Sequence, residues 1–312
     1  MKKTIIIVLC TVFLAACAFT NGEYKRISLV REMLGENKDT YNNAVNSKTK
    51  VEKRYDDEFP ASIPIYSIKN VEVTEAVYEE FFKHFGFFGE YSYNGKYYDS
   101  DINGERNGNR RLKTSGLDQR NSISFEIQFD SKPITYSDEE LKEMAQKIFD
   151  SLPCIEGEYE YVGISSTLTV SSEEGDYAER KRVSFRKVID GMRVIGSDQC
   201  DIYFNHRGFC GLELDFVEYE KIGELDLIPL KSAHSLIKTP DAFVLYNSEE
   251  TLEGAATSLK VERVKILLVN QSSMGCTILQ PVYNFIGTAE NESGSAEFHS
   301  RVIAIPKKYT YD

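Results

Sequence analysis

From Lys181 to Glu218 the chain reads KRVSFRKVIDGMRVIGSDQCDIYFNHRGFCGLELDFVE, a succession of short alternating runs separated by turn residues. Apolar side chains at every second position set one face of a strand in a core and leave the other face polar. This stretch therefore dictates neighbouring antiparallel strands, not helices. Val183, Phe185 and Ile189 belong to one run, Cys200, Ile202 and Phe204 to the next, and Cys210, Leu212, Leu214 and Phe216 to the last. Asp190-Gly191 is a turn pair joining Val183–Ile189 to a short strand after it. The sets beginning at Cys200 and Cys210 must face one core, which demands an odd-numbered loop or a bulge around Asn205–Gly208, and Gly208 suits either.

A helix precedes these strands. SDEELKEMAQKIFDSLP opens with a capping box, Ser137 and Glu140, and lines up Leu141, Met144, Ala145, Ile148, Phe149 and Leu152 on one face. Strands are expected near Tyr159–Val170, Lys181–Ile189, Gln199–Phe204 and Phe209–Glu218. Upstream, TEAVYEEFFKHF places Val77, Phe81 and Phe85 at helical spacing, SISFEIQF alternates as a strand, and EYSYNGKYY reads as a hairpin turning at Asn94-Gly95. Downstream, helices are expected near Leu230–Ile237 and Glu249–Leu259, and strands near Val261–Val269, Thr277–Ile286 and Glu297–Ile305. The fold class that follows is α+β, tandem modules in which a helix packs on a curled antiparallel sheet. No β-α-β alternation is present to build a parallel nucleotide-binding sheet. The expected divisions are residues 1–16, 17–58, 59–135, 136–222 and 223–312: a leader, a polar linker (Asn37 to Glu58 shows no apolar period) and three α+β units.

The leader is informative in itself. Lys2 and Lys3 precede an apolar run from Ile5 to Leu14, too short for a bilayer span, and small residues follow. Leu14-Ala15-Ala16-Cys17 resembles the bacterial lipobox, which implies acylation of Cys17 and anchoring by its lipid on the extracytoplasmic face of the cell membrane. With Lys2 and Lys3 gone, 35 basic residues face 49 acidic ones, a surface that repels nucleic acid. Cys154, Cys200, Cys210 and Cys276 remain, and an oxidising compartment permits two disulfides. The strand register separates Cys200 from Cys210, so buried thiols are the expectation for them.

Motifs with chemical meaning are few. Asp99, Asp101 and Asn103 have the alternating oxygens of a calcium loop, with Gly104 at its sixth position. Arg110 stands where the bidentate Glu belongs, and Arg106 and Arg111 would repel a cation, so a polar loop is expected in place of a metal site. Ser235 and Lys238 fit Ser-x-x-Lys without the downstream partners of an acyltransferase. His84, His206, His234 and His299 are scattered without ligand spacing. Tyr91, Tyr93, Tyr97 and Tyr98 are candidates to stack against a sugar or peptide, or to pack on the helix carrying Phe81 and Phe85. No cofactor is expected, and the chain is expected to be non-enzymatic.

The order helix, RVSFRKVIDGMRVIGSDQCDIYFNHRGFCGLELDF, then LQPVYNFIG resembles the PepSY/cystatin-like modules of bacterial envelope proteins over about residues 137–305. The overall arrangement resembles the YycH/YycI type, extracytoplasmic proteins that restrain a histidine kinase. Those proteins carry an N-terminal transmembrane helix where this chain has a lipobox, so the resemblance carries the fold further than the kinase role. It implies a regulatory lipoprotein that binds an envelope protein; a glycan- or peptide-binding lipoprotein is the alternative.

Overall fold

The computed structural model describes residues 27–28, 45–71, 73–85, 112–114, 122–127, 132–153, 155–172, 175–196, 199–239, 242–246, 252–270, 277–306 and 310–311. In chain order the elements are β1 (Ile27–Ser28), β2 (Lys50–Lys53), β3 (Ser62–Asn70), α1 (Glu75–His84), β4 (Leu112–Thr114), β5 (Ser122–Ile127), α2 (Asp138–Ser151), β6 (Glu158–Ser172), β7 (Gly175–Ile189), β8 (Met192–Gly196), β9 (Gln199–Asn205) and β10 (Gly208–Asp215). They continue with β11 (Val217–Asp226), α3 (Leu230–Leu236), β12 (Ala242–Tyr246), β13 (Ser258–Asn270), β14 (Gln280–Asn291), β15 (Gly294–Ile303) and β16 (Thr310–Tyr311). Strands dominate the described residues and helices are few. Tandem helix-on-sheet modules are thus a coarser match than expected: one helix of full length covers one sheet.

The chain divides into two units, one of Lys69–Glu218 and one made of the residues up to Ile68 with those from Tyr219 onward. This differs from the three consecutive units read from the sequence. The helix α1 and strand β5 share a core with α2, which merges the expected first and second units. Strand β3 pairs with β11, and β2 with β13, which ties residues before Ile68 to the C-terminal part.

In the unit of Lys69–Glu218 the antiparallel ladder runs β6-β7-β9-β10-β5-β4. The capping box forms as expected: Glu140 N donates to Ser137 Oγ, and Ser137 N donates to Glu140 Oε2 at 2.8 Å. Accepting the Ser137 N–H, and with it the Ser137 hydroxyl at 2.9 Å, holds the Glu140 carboxyl below its ordinary range. Leu141 and Ala145 are fully buried against Val183, Phe185, Ile202, Phe204, Leu212 and Leu214, and Phe149 stacks on Phe185 with centroids 4.6 Å apart. From α1, Phe81 meets Phe216 edge-on, while Phe85, which ends that helix, stacks on Phe209.

Two turns set the ladder. Ile189 pairs with Met192 across Asp190-Gly191, both at positive φ (48° and 74°), as a type I′ turn requires. Asn205 pairs with Gly208 across His206-Arg207, and the register then slips between Phe209 and Gly211. That slip is the expected bulge: it leaves Cys210 unmatched and sets Leu212 against Ile202 and Leu214 against Cys200. Cys200 and Cys210 are buried and not bridged to each other. Cys154 and Cys276 lie outside the described residues.

In the other unit the order is β12-β15-β14-β13-β2, antiparallel except for β2, which joins β13 in parallel at Ser258–Val261. The polar linker expected up to Glu58 therefore stops short. Lys50–Lys53 form a strand because Thr49 Oγ1 donates to Ala256 O at 2.7 Å and Arg54 N to Val261 O at 2.8 Å. Asp57 then accepts Val264 N–H at 2.9 Å, and Tyr55 and Phe59 lie on Phe285 and Tyr283. The helix expected at Glu249–Leu259 is absent from the described part of that range: residues 252–257 are irregular and β13 begins at Ser258. The β-branched and apolar run SLKVERVKILLV suits a strand buried in a sheet.

At Gly287 the β13 ladder slips between Val261 and Arg263, and a Cβ there would stand 1.9 Å from Lys260 O, a backbone atom. Gly287→Ala should cost about 3 kcal/mol through forced backbone displacement. Gly191→Val has open space and costs only backbone strain of about 1–2 kcal/mol. Thermal melts of the two variants check both; an unchanged melting temperature for either contradicts its assignment.

Candidate functional site

Sheet alternation in the unit of Lys69–Glu218 sets polar residues on the face away from α2. Along β7 these are Arg182 and Arg186, along β9 Asp201 and Tyr203, and along β10 Glu213. Asp201 is 0 % exposed. Arg186 Nη1 donates to its Oδ1 at 2.9 Å and also to Phe185 O at 2.8 Å. Arg182 Nη1 lies 3.4 Å from Oδ2, close enough for an ion pair, but no hydrogen bond completes it, and Arg182 Nε is buried without an acceptor. Tyr203 Oη donates to Glu213 Oε2 at 3.0 Å, and the Arg180 guanidinium stands over its ring at 5.2 Å. Burial, then the Glu213 charge, pushes the Tyr203 phenol up, so it stays a donor. This cluster binds its own members. Its acid is held by two arginines and its phenol is protonated, so it offers neither a poised base nor a nucleophile.

A second polar contact clasps the segment after β2. Tyr55 Oη and His234 Nδ1 are 3.0 Å apart, with both rings against Phe285. Burial, then the Asp57 charge, pushes the Tyr55 phenol up to about 12, so the phenol donates and His234 accepts as a neutral imidazole. Burial, then Lys53, holds His234 below the usual 6.5. Both causes favour the neutral ring that this hydrogen bond needs.

The third place is an edge. Among the described strands β6 is bonded to β7 alone. Two large apolar side chains on it are exposed, Val162 at 42 % and Leu168 at 44 %. Each sits where the β6–β7 register slips. From Tyr161 to Ser172 this strand has twelve residues without a charge, in a chain that is 28 % charged.

Most residues singled out in the sequence fall elsewhere. Cys17, Asp99, Asp101, Asn103, Tyr91, Tyr93, Tyr97 and Tyr98 lie outside the described residues. Ser235 is exposed and donates to Ser232 O, while Ile237 is buried. His84 meets Ser151 at 3.2 Å, and His299 meets Asn284 at 3.2 Å with Glu297 at 3.9 Å. Among the described residues no three His, Cys, Asp or Glu side chains gather as a metal site, and no helix is long and apolar enough to cross a membrane. The Arg182–Asp201–Arg186 cluster was readable in principle, since two arginines four apart on one strand face recur beside an Asp in a strand interior. Nothing in the sequence signals the Tyr55–His234 contact, whose partners are 179 residues apart.

No family model and no curated protein matches the chain. Among solved structures it is similar to YycH from Bacillus subtilis, at 16 % identity and a TM-score of 0.35, over 61 % of this chain and 42 % of that one. It is also similar to the Bacillus megaterium YpeB C-terminal domain, at 12 % identity and a TM-score of 0.33, over 75 % of this chain and 94 % of that one. The chain thus spans less than half the length of the YycH structure.

Two outcomes test the polar contacts. Asp201→Ala leaves the largely buried Arg186 guanidinium without its partner and should cost about 3 kcal/mol, while Asp201→Asn, which keeps an acceptor, costs less. For His234 the folded pKa lies below the unfolded value, so its stabilisation is complete above about pH 6.5. It falls as the unfolded chain takes up a proton that the folded chain refuses. His234→Gln should flatten the decline in melting temperature between about pH 6.5 and about pH 5, above the carboxylate range. Superimposable profiles for parent and variant contradict the neutral clasp.

Proposed function

We propose that this chain is a membrane-anchored extracytoplasmic bacterial lipoprotein, non-enzymatic, that binds another protein at the cell envelope and thereby regulates it. The observation that carries this reading is the edge of β6. An edge strand offers backbone donors and acceptors to any extended chain, and soluble proteins blunt such edges with lysine, proline or inward charges. None of those stands between Tyr161 and Ser172, where Val162 and Leu168 add apolar surface for a partner. Strand addition to such an edge is a recurring mode of peptide recognition: backbone bonds supply affinity and alternate side chains supply specificity. The polar groups on the sheet face of the same unit support a non-enzymatic reading, since Asp201, Arg186, Tyr203 and Glu213 are engaged with one another. The lipobox Leu14-Ala15-Ala16-Cys17 supports the anchor.

A photo-crosslinking amino acid at Leu168, in the full chain in its own cells, should give adducts with a protein. The same probe at Lys147, on the exposed side of α2, should not. Equal labelling from both positions, or adducts only with wall glycan, rejects the protein-binding reading. Cys17→Ala should move the chain from the membrane fraction to the soluble fraction; continued membrane association would reject the lipid anchor.

A further inference from the structure

One face of the β12-β15-β14-β13 sheet carries a charge that its own chain does not answer. Opposite the face of Tyr283 and Phe285, strands β13, β14 and β15 place Lys265, Asn284 and Arg301 in one row: Lys265 pairs with Asn284, and Asn284 with Arg301. Phe243 of β12 continues the row beyond Arg301. We propose that this row binds a carboxylate, with Arg301 as the main donor and Asn284 and Lys265 beside it. The row lies in the unit that does not hold β6, so this site stands or falls apart from the protein-binding reading.

Arg301 is mostly buried, and its Nε is buried without an acceptor. Burial holds the guanidinium below its ordinary value, the direction expected where no acid stands opposite, and it stays charged at neutral pH. Asn284, facing it across the ladder, is buried too, and its Oδ1 has no donor. Among the described residues neither Arg301 nor Lys265 has an acidic partner, in a chain with 49 acids and a net charge of −12. The other unit shows the contrast, since Arg182 and Arg186 there share Asp201. A guanidinium kept for stability would be matched in that way, because a buried charge left alone costs more than an apolar side chain in its place. An orphaned cation with an orphaned amide atom on the facing residue is what a site for an outside anion leaves behind when empty.

The chemistry of the row selects the anion. A planar guanidinium matches a carboxylate in shape and in charge, one for one. A phosphate dianion would bring a second negative charge beside a single desolvated cation, with only the exposed Lys265 to answer it. Asn284 adapts to the ligand through His299, whose Nδ1 is 3.2 Å from its amide nitrogen. In one tautomer that ring nitrogen accepts from the amide N–H; in the other it donates to the amide oxygen, and the Asn284 N–H is then turned to the anion. The carboxylate thus receives donors from Arg301 and Asn284, and Lys265 adds a positive charge from the solvent side.

Sodium acetate replacing sodium chloride, at fixed pH and ionic strength, tests the site on the full chain in a non-ionic detergent. Acetate should raise the melting temperature with concentration, as a ligand of the folded form does. Arg301→Met, which keeps the length of the side chain without its charge, should melt no lower than the parent in chloride and should not respond to acetate. In the parent chain the Arg301 Nε–H resonance, identified by its loss in Arg301→Lys, should move on the same titration, a readout that does not depend on how the Met variant folds. N-acetylalanine, whose carboxylate ends a chain, and the α-amide of N-acetylglutamate, whose carboxylate is on a side chain, distinguish the source; at least one should move the resonance as acetate does. An equal acetate response in parent and Arg301→Met overturns the proposal. So does an Nε–H resonance that acetate moves no further than chloride, or a Met variant that melts well below the parent, since the fold itself would then be using the charge. Inorganic phosphate acting as strongly as acetate overturns the choice of a carboxylate.

Discussion

Strand β7 has to satisfy two solvents at once. Val183 and Phe185 are buried under α2, and the residues between and beside them on the other face are Arg182, Ser184 and Arg186. Alternation makes this unavoidable: a strand cannot place its apolar side chains inward without pointing their neighbours outward. What makes the arrangement stable is Asp201, which lies on the adjacent strand beside both guanidinium groups. A buried carboxylate in that place would be costly alone, as would the arginines, and each is tolerable because the other is present. The packing of α2, the pairing of β7 with β9 and the register of β10 all presuppose that this acid and these bases stay matched.

The register slips at Cys210 and at Glu262, which lies between Val261 and Arg263, answer a related demand. A single extra residue flips the parity of everything after it, and the chain uses that to bring Leu212 and Leu214 to the same side as Ile202 and Cys200. At Glu262 the extra residue brings backbone so close to β14 that position 287 accepts no side chain beyond hydrogen. Glycine there serves close approach, whereas Gly191 serves a positive φ. The two kinds of glycine look alike in a sequence and have different consequences.

Much of the unit of Lys69–Glu218 was legible from residue order. The capping box at Ser137, the alternation on both sides of Asp190-Gly191 and the need for a parity shift near Gly208 are local signals, and local signals determine local structure. What escaped were pairings between distant segments. Lys50–Lys53 are too polar to announce a strand, and they become one only because β13 supplies the partner and Thr49, Tyr55 and Asp57 hold either end. The stretch from Glu249 to Leu259 looked helical because its composition suits a helix, but the sheet recruits its last two residues. Of the candidate site, the uncharged run of β6 was visible as letters. Its meaning needed the topology, in which this strand is an edge among the described strands. The Tyr55–His234 contact left no trace in the sequence, since neither residue has a periodic neighbour that points to the other.

The parallel attachment of β2 has a mechanical consequence. A pull on the chain ahead of Asn46, directed along the strand, is resisted together by the Thr49 hydroxyl, the β2 ladder, the Arg54 amide and the Asp57 carboxylate. Loaded in that direction the bonds share the force in shear; pulled sideways they would open one after another. The segment thus acts as a strain relief between whatever holds the N-terminal end and the sheet behind it, with a resistance that depends on the direction of the pull.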